Sequence, residues 1–379
     1  MPEVFTSYHN IISPLGFTTK DNYAALLNNQ SGIKNKSFGK LNDLFCLATI
    51  EEEKIKEHAA KSGIPPNYTK LETLSILSIH DVLNQSGVSL KDKNTLFIYS
   101  TTKGNIDLLE HHKSIVPKER SYLSKMAEAI GHYFEAANEP LVISNACISG
   151  LLAIVIAQRM ITEGLYENII VCGGDLVTEF TVSGFKSFNA LSNHPCKPFD
   201  ARREGINLGE AVSTLLITKN KNLLSPGSTH ILNGASANDA NHISGPSRNG
   251  DGLLLAIEKT FSKHKHILPD TINAHGTATP YNDEMESIAF ERAGLTHVPV
   301  NSLKGYYGHT LGAAGVLETV ITLEAAQNNQ LIKSAGFSEH GVSGKISVIG
   351  DYKSSPIKTF LKTASGFGGC NAAALFSKL

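Results

Sequence analysis

The 379-residue sequence lacks an excess of either charge: 34 Lys plus Arg stand against 35 Asp plus Glu, for a net charge of −1. That excludes the broad basic surface of a nucleic-acid binder and leaves any acidic partner to a local patch. Cysteine is scarce and unpaired in pattern. The five residues, Cys46, Cys147, Cys172, Cys196 and Cys370, are odd in number and contain no CxxC. This argues against a disulfide framework or a zinc site and for reduced thiols in a cytoplasmic setting. No apolar stretch reaches the ~20 residues that span a bilayer, and LLAIVIAQRMI reads as a buried helix instead. The opening MPEVFTSYHNIISPLG has no charged segment followed by an apolar run, so no secretory signal is expected. No GxGxxG follows a strand, and neither a P-loop nor HExxH is present, so nothing indicates a nucleotide or metal enzyme.

What is present fits a packed globular chain: 41% hydrophobic and 18% charged residues. At roughly 150 residues per domain the length suits two or three units, or one large duplicated fold. Short β-branched runs predict strands at 94–100, 139–144, 168–174, 211–218, 230–236, 271–277 and 345–350. Several are apolar throughout, as central strands are. Helical patterns fall at 70–85, 119–134, 148–163, 250–263, 282–293 and 311–328. The alternation predicts an α/β protein. The polar break KNKNLLSPGST (219–229) divides it into halves of 1–225 and 226–379, although no sequence repeat is visible. The polar tract 101–122 reads as a loop or mobile helix suited to substrate contacts. The EEEK run within 46–66 reads as a solvated helical face.

Four segments carry chemistry. In SNACISGLLAIVIAQRMI a strand ends at Ser144 and Cys147 follows in a tight turn that opens an apolar helix. A helix N-terminus favours thiolate, and its free N–H groups can hold an oxyanion. Alone, such a cysteine reads equally as a buried core residue. In INAHGTATPYNDEMES, His275 closes an apolar strand, where α/β folds place reactive groups. A lone histidine there is as easily structural. In VNSLKGYYGHTLGAAGVLETVITLEAA, Lys304 and His309 lie in a loop before a helix that GAAG lets pack closely. The helix dipole biases His309 toward the neutral imidazole, which can donate to a developing oxyanion. In KTASGFGGCNAAALF, Phe367 sits in a glycine-rich turn between two apolar runs.

Together and in this order, these segments resemble the β-ketoacyl-acyl-carrier-protein synthases of the elongating type. The resemblance extends to IISPLG…SGI (11–33) and to PCKPFDARREGINLGEA, with its FDxxRxGxxxGE pattern at Phe199, Asp200, Arg203, Gly205, Gly209 and Glu210. It implies the thiolase fold, two similar βαβαβ-type halves in a five-layer αβαβα sandwich, and decarboxylative Claisen condensation in fatty acid, aryl-polyene or polyketide synthesis. By the family's pattern Cys147 is the nucleophile, and His275 and His309 stabilise the enolate. Lys304, restrained by Glu318, sets the electrostatics of the histidine pair. The backbone N–H groups of Cys147 and Phe367 form the second oxyanion hole. Thr277 and Thr279 hold the phosphopantetheine arm, Phe185 lines the acyl pocket, Phe367 gates it, and Asp283 and Glu286 give structural support.

The resemblance also implies no metal, no added cofactor beyond the phosphopantetheine that arrives on the carrier protein, no membrane and no nucleic acid. The implied assembly is a homodimer, or a heterodimer with a related ketosynthase. Lys103, Lys113, Lys118 and Arg120 are the candidate basic patch for the carrier protein. Asn189 stands where many relatives carry a basic residue near the pocket mouth. Ser365 and Cys370 replace an aromatic residue and a threonine of the final loop, so the monovalent cation of some relatives is not implied. Two rivals share the fold. A non-decarboxylating thiolase usually has Asn in place of His275, and a chain-length-factor type subunit generally lacks the nucleophile.

Overall fold

The structure is a computed structural model that describes residues 2–39, 43–110, 115–239, 241–242 and 245–379. The first half runs β1 (Phe5–Ile12), α1 (Thr19–Leu27), β2 (Lys34–Ser37), β3 (Leu44–Ala48), α2 (Glu52–Lys61), α3 (Lys70–Ser86) and β4 (Thr95–Ser100). It continues with α4 (Leu123–Tyr133), β5 (Leu141–Ile143), α5 (Ser149–Thr162), β6 (Asn168–Asp175), α6 (Glu179–Ser187), β7 (Leu208–Gly209) and β8 (Ala211–Thr218). The second half runs β9 (Thr229–Asn238), α7 (Asp251–Phe261), β10 (Thr271–Asn273), α8 (Pro280–Arg292), β11 (Pro299–Asn301) and α9 (Lys304–Tyr307). It ends with α10 (Ala314–Gln327), β12 (Gln330–Leu331), β13 (Ser347–Val348), β14 (Lys353–Ser354), β15 (Thr359–Gly366) and β16 (Cys370–Lys378).

Eleven strands form one folded sheet in the order β13-β11-β10-β15-β16-β9-β1-β8-β6-β4-β5. Its two arms repeat one topology. From the outer strand inward, β5-β4-β6-β8-β1 and β11-β10-β15-β16-β9 each take their own strands in the order third, second, fourth, fifth, first, with the short edge strand β13 set aside. In both arms the outer pairings are parallel and the inner ones antiparallel. The arms join where β1 pairs with β9. The duplication thus lives in topology, while the side chains have diverged.

α5 and α10 lie between the arms, and each touches strands of both. Their residues share one core with Leu96, Ile169, Leu215, Phe360 and Phe376. A helix apolar on every side has nowhere else to go, and α10 is buried almost throughout. The pair approaches at Gly150 and Gly315. A Cβ on Gly150 would lie 2.9 Å from the Gly312 carbonyl oxygen, and one on Gly315 would overlap Leu151 N. Outer layers complete the sandwich. α3 and α4 cover one arm through Leu71, Leu74, Ile79, Met126 and Ile130, and α7 and α8 cover the other through Leu253, Ile257, Met285 and Phe290. Five layers result, as the resemblance implies.

Several boundaries differ from the sequence reading. The run 271–277 is a strand only over Thr271–Asn273, so His275 stands two residues beyond its end. The helix expected from 119 starts at Leu123, because Lys118–Ser121 forms a 3-10 turn. Lys304 begins the short helix α9 and is not in a loop. β11 has three residues, too few for periodicity to register. α2 is the expected solvated face, with Ile55 its one buried residue.

Candidate active site

Cys147, His275 and His309 come from three separate connections and meet in one cleft of about 840 Å3. The Cys147 thiol sulfur and a ring nitrogen of each histidine all lie within 4.8 Å of one another. The two imidazoles stand edge to face, with centroids 5.0 Å apart and planes at 80°. Each residue is set by a local backbone conformation that non-glycine residues seldom adopt. Ala146 before the thiol has φ 45°, Ala278 after the HGT turn has φ 62°, and Leu311 after His309 has φ 51°. Such strain persists only where surrounding structure over-determines it.

The Cys147 turn lies against the β15–β16 hairpin. A Cβ on Gly366 would be 3.0 Å from Cys147 N and 3.0 Å from the Cys370 sulfur. Burial pushes the Cys147 thiol up to about 12, and the neighbouring Cys370 adds to this. Lys304, the Phe367 backbone N–H and Lys103 pull the other way. At the resting site the loss of solvent thus opposes the thiolate that the helix start favours.

The two histidines are held in one tautomer. His309 Nδ1 accepts a hydrogen bond from the Leu311 N–H at 3.1 Å, so its proton sits on Nε2. That buried Nε2 has no hydrogen-bond partner among the described residues. The Lys304 ammonium faces His275 Nδ1 at 3.3 Å and donates to the His275 carbonyl at 2.6 Å. His275 therefore also carries its proton on Nε2. Burial holds both imidazoles well below the usual histidine range, with Lys304 and Lys362 reinforcing it. Burial and nearby ammonium charge thus keep His309 neutral, where the sequence pointed to the helix dipole.

Lys304 is fully buried, and its charge is met by Glu318 at 2.7 Å. The other Glu318 oxygen takes Lys362, also fully buried, at 2.7 Å. A thiol with two imidazoles can in principle hold a soft metal ion. Here both Nδ1 atoms face donors, so both Nε2 atoms carry protons instead of free lone pairs, and two ammonium groups stand close by.

Glu286 accepts from the His275 and Gly276 N–H groups at 2.8 and 2.6 Å. Asp283 accepts from Thr277, Ala278 and Phe199 N–H groups at 2.7–3.1 Å. Thr277 and Thr279 share a hydrogen bond of 2.8 Å at the cleft wall. Phe367 stacks obliquely near Phe185 and Phe188, with centroids 5.7 and 5.5 Å away. Asn189 lines the same mouth. The FDxxRxGxxxGE segment braces the site from behind. Asp200 accepts from the Ser338 and Glu339 N–H groups, Gly209 N–H donates to the His309 carbonyl at 3.0 Å, and Glu210 binds Lys70.

Of the candidate basic patch, Arg120 is engaged within the fold. Arg120 turns inward, its Nε 2.8 Å from the buried Glu72, its guanidinium over the Tyr68 ring. Glu72 also closes the capping box of α3 with Thr69, so Arg120 is a structural ion-pair partner. Lys103 is half-buried near the nucleophile, Lys118 is exposed, and Lys113 lies outside the described residues. Two residues of the cleft region escape sequence reasoning. Phe188 shows no motif, and Lys362 stands in an apolar strand with no signal of its function.

Among the described residues no helix is long and apolar enough to cross a membrane. The family model for the β-ketoacyl synthase N-terminal domain matches residues 11–222, and that for the C-terminal domain matches 229–338. The 3-oxoacyl-[acyl-carrier-protein] synthase 2 of Vibrio harveyi is 26% identical over 412 residues, covering 97% of each chain. The ketoacyl synthase alpha subunit of the tetracenomycin polyketide synthase of Streptomyces glaucescens is 28% identical over 62% of this chain and 59% of its own. A chain of the complex between a ketosynthase and its chain length factor from Xenorhabdus doucetiae superposes with a TM-score of 0.88 at 24% identity, covering 100% of this chain and 98% of that one. Fold, site and matched segments agree, and the chain belongs to the β-ketoacyl synthase family.

Proposed function

We propose that the protein is a 3-oxoacyl-[acyl-carrier-protein] synthase in which Cys147 takes the acyl group and His275 and His309 stabilise the enolate of the malonyl partner. One observation carries the assignment of roles: two neutral imidazoles, both fixed as Nε2–H donors, beside a single thiol within 4.8 Å. Cys147 sulfur attacks the acyl thioester, and the proton it loses ends on the departing pantetheine thiol. Splitting the transfer through an acyl-enzyme turns one difficult step into two easier ones. A malonyl thioester then fills the cleft. Its carboxylate leaves as CO2, and the bonding pair becomes the enolate, whose oxygen accepts from the two Nε2–H groups. The enolate carbon attacks the acyl carbonyl, whose oxyanion meets the Cys147 and Phe367 N–H groups. Collapse releases the 3-oxoacyl product and returns the thiolate, which takes up a proton. Electrons and atoms balance with no added cofactor, because decarboxylation supplies the nucleophilic pair.

The substrates reach the cleft on the phosphopantetheine arm of an acyl carrier protein, with Thr277 and Thr279 placed to hold it. The protein works as a homodimer or beside a related ketosynthase subunit, in a cytoplasmic compartment that keeps its buried cysteines reduced. The test is CO2 release from malonyl-carrier protein with and without an acyl donor, read together with the 3-oxoacyl product. Both should appear with the wild-type protein. Acyl exchange with coenzyme A thioesters but no CO2 would overturn the decarboxylative reading in favour of thiolase chemistry.

A further inference from the structure

Lys362 is the second buried ammonium behind the histidine pair. It stands on β15, fully buried between β10 and β16. Its Nζ donates to Glu318 Oε2 at 2.7 Å, to the Thr363 carbonyl at 2.7 Å and to the Asn273 carbonyl at 3.5 Å. Glu318 presents its other oxygen to Lys304 at 2.7 Å, and Lys304 in turn reaches the His275 carbonyl and Nδ1. One hydrogen-bonded tract therefore runs from the β15 backbone through Lys362, Glu318 and Lys304 to the imidazole.

A carboxylate has two oxygens and a single charge. With Lys362 on Oε2, only Oε1 is left for Lys304, and one negative charge serves two ammonium groups. The excess positive charge sits behind the imidazoles. Remove Lys362, and Glu318 neutralises Lys304 fully and is free to draw it away from His275 with both oxygens. The groups facing this tract are Glu318 on α10, Lys304 and Tyr307 on α9, Glu286 and Asp283 on α8, and the two histidines. Lys304 and Lys362 each hold one Glu318 oxygen, so the pair shares a single negative charge and the second ammonium leaves the tract one positive charge in excess of Glu318. A buried lysine that served stability alone would be poorly chosen, because burying an ion pair is often no better than apolar packing.

We propose that Lys362 is a positioning residue of the condensing site: through Glu318 it fixes Lys304 against His275 and supplies the positive charge that keeps both imidazoles neutral Nε2–H donors. The inference deepens the condensing reading and rests on it for its catalytic consequence, but not for its electrostatic one. Removing a nearby cation raises an imidazole's affinity for protons. Activity needs neutral rings, so the acidic limb of the rate profile must move to higher pH.

The test uses the full chain and three variants: Lys362→Met, Lys362→Gln, which keeps a polar side chain where the first fails to fold, and the conservative Lys362→Arg. Histidine 15N spectra across pH report tautomer and titration with no substrate present. In Lys362→Met and Lys362→Gln the His275 and His309 signals should titrate ~0.5 pH unit or more higher than in the wild type. The kcat for condensation should fall ~10-fold with KM unchanged, and Lys362→Arg should recover part of it. Unchanged histidine titration in a folded Lys362→Met or Lys362→Gln variant overturns the inference, whatever the activity. Shifted titration with a wild type that releases no CO2 upholds the electrostatic role and overturns the condensing reading alone.

Discussion

α5 and α10 hold equivalent places in the two arms of the sheet, each following the third strand and lying in the central layer. What stands before each helix differs. Before α5 comes a thiol in a strained turn, dry enough for burial to push it up to about 12. Before α10 comes an imidazole backed by two ammonium groups that share one carboxylate. The same slot thus serves opposite needs. The thiol side is dry, while the histidine side is ionic, with two buried ammonium groups near two rings held below the usual histidine range. The two arms share one strand order and differ in the residues set before the central helix.

The comparison breaks most sharply at the nucleophile. Cys147→Ala should lower condensation at least ~1000-fold. It should leave CO2 release from malonyl-carrier protein measurable, because the enolate site does not use the thiol. Equal loss of both would mean that the two sides are not separable. On the ionic side, Glu318→Ala strands two buried ammonium groups, and denaturant titration should show a loss of ~3–5 kcal/mol. A change under 1 kcal/mol would show that the tract is not charged as described. His309→Ala removes one oxyanion donor and should cost ~100- to 1000-fold in condensation. Acylation of Cys147, followed by mass spectrometry, should persist.

The resemblance made the chemistry of this site legible far ahead of its geometry. Cys147, His275, Lys304 and His309 each stand beside a small residue or glycine (Ala146, Gly276, Gly305, Gly308), and at the three glycines a Cβ would come within 3 Å of a neighbouring atom. Lys362 was not legible. It lies among apolar residues in KTFLKTASG, where strand alternation reads as well with the lysine facing solvent, and only the position of β15 inside the sheet decides otherwise. Arg120 misled for the converse reason. A basic residue in a polar loop reads as surface, and its partner Glu72 is 48 positions away in sequence. The topological repeat was hidden as well, since the two arms share strand order but no motif.

Smaller effects sharpen the comparison further. His275 and His309 are buried as neutral rings, and the partly buried His9, 3.5 Å from Glu324, is held near 4 against a usual 6.5 by loss of solvent. The unfolded chain takes up protons at these positions below about pH 6.5 while the folded chain does not. Stability must therefore fall as pH drops from 6.5 toward 4. Urea titrations at pH 7 and 5 check the sign, and greater stability at pH 5 would contradict neutral burial. Smallest of all, Gly150→Ala puts a methyl group 2.9 Å from the Gly312 carbonyl oxygen, between the two central helices. A loss of ~1–3 kcal/mol is expected, and a neutral result would mean that the helices have room to part.

The most direct test of the division of labour is intact-mass spectrometry of the protein with acyl-carrier protein, followed by malonyl-carrier protein. An acyl mass should appear on Cys147 in the first step. It should vanish in the second as CO2 and a 3-oxoacyl-carrier protein are released. An acyl mass that persists after malonyl-carrier protein is added, or one carried by any residue other than Cys147, would contradict it.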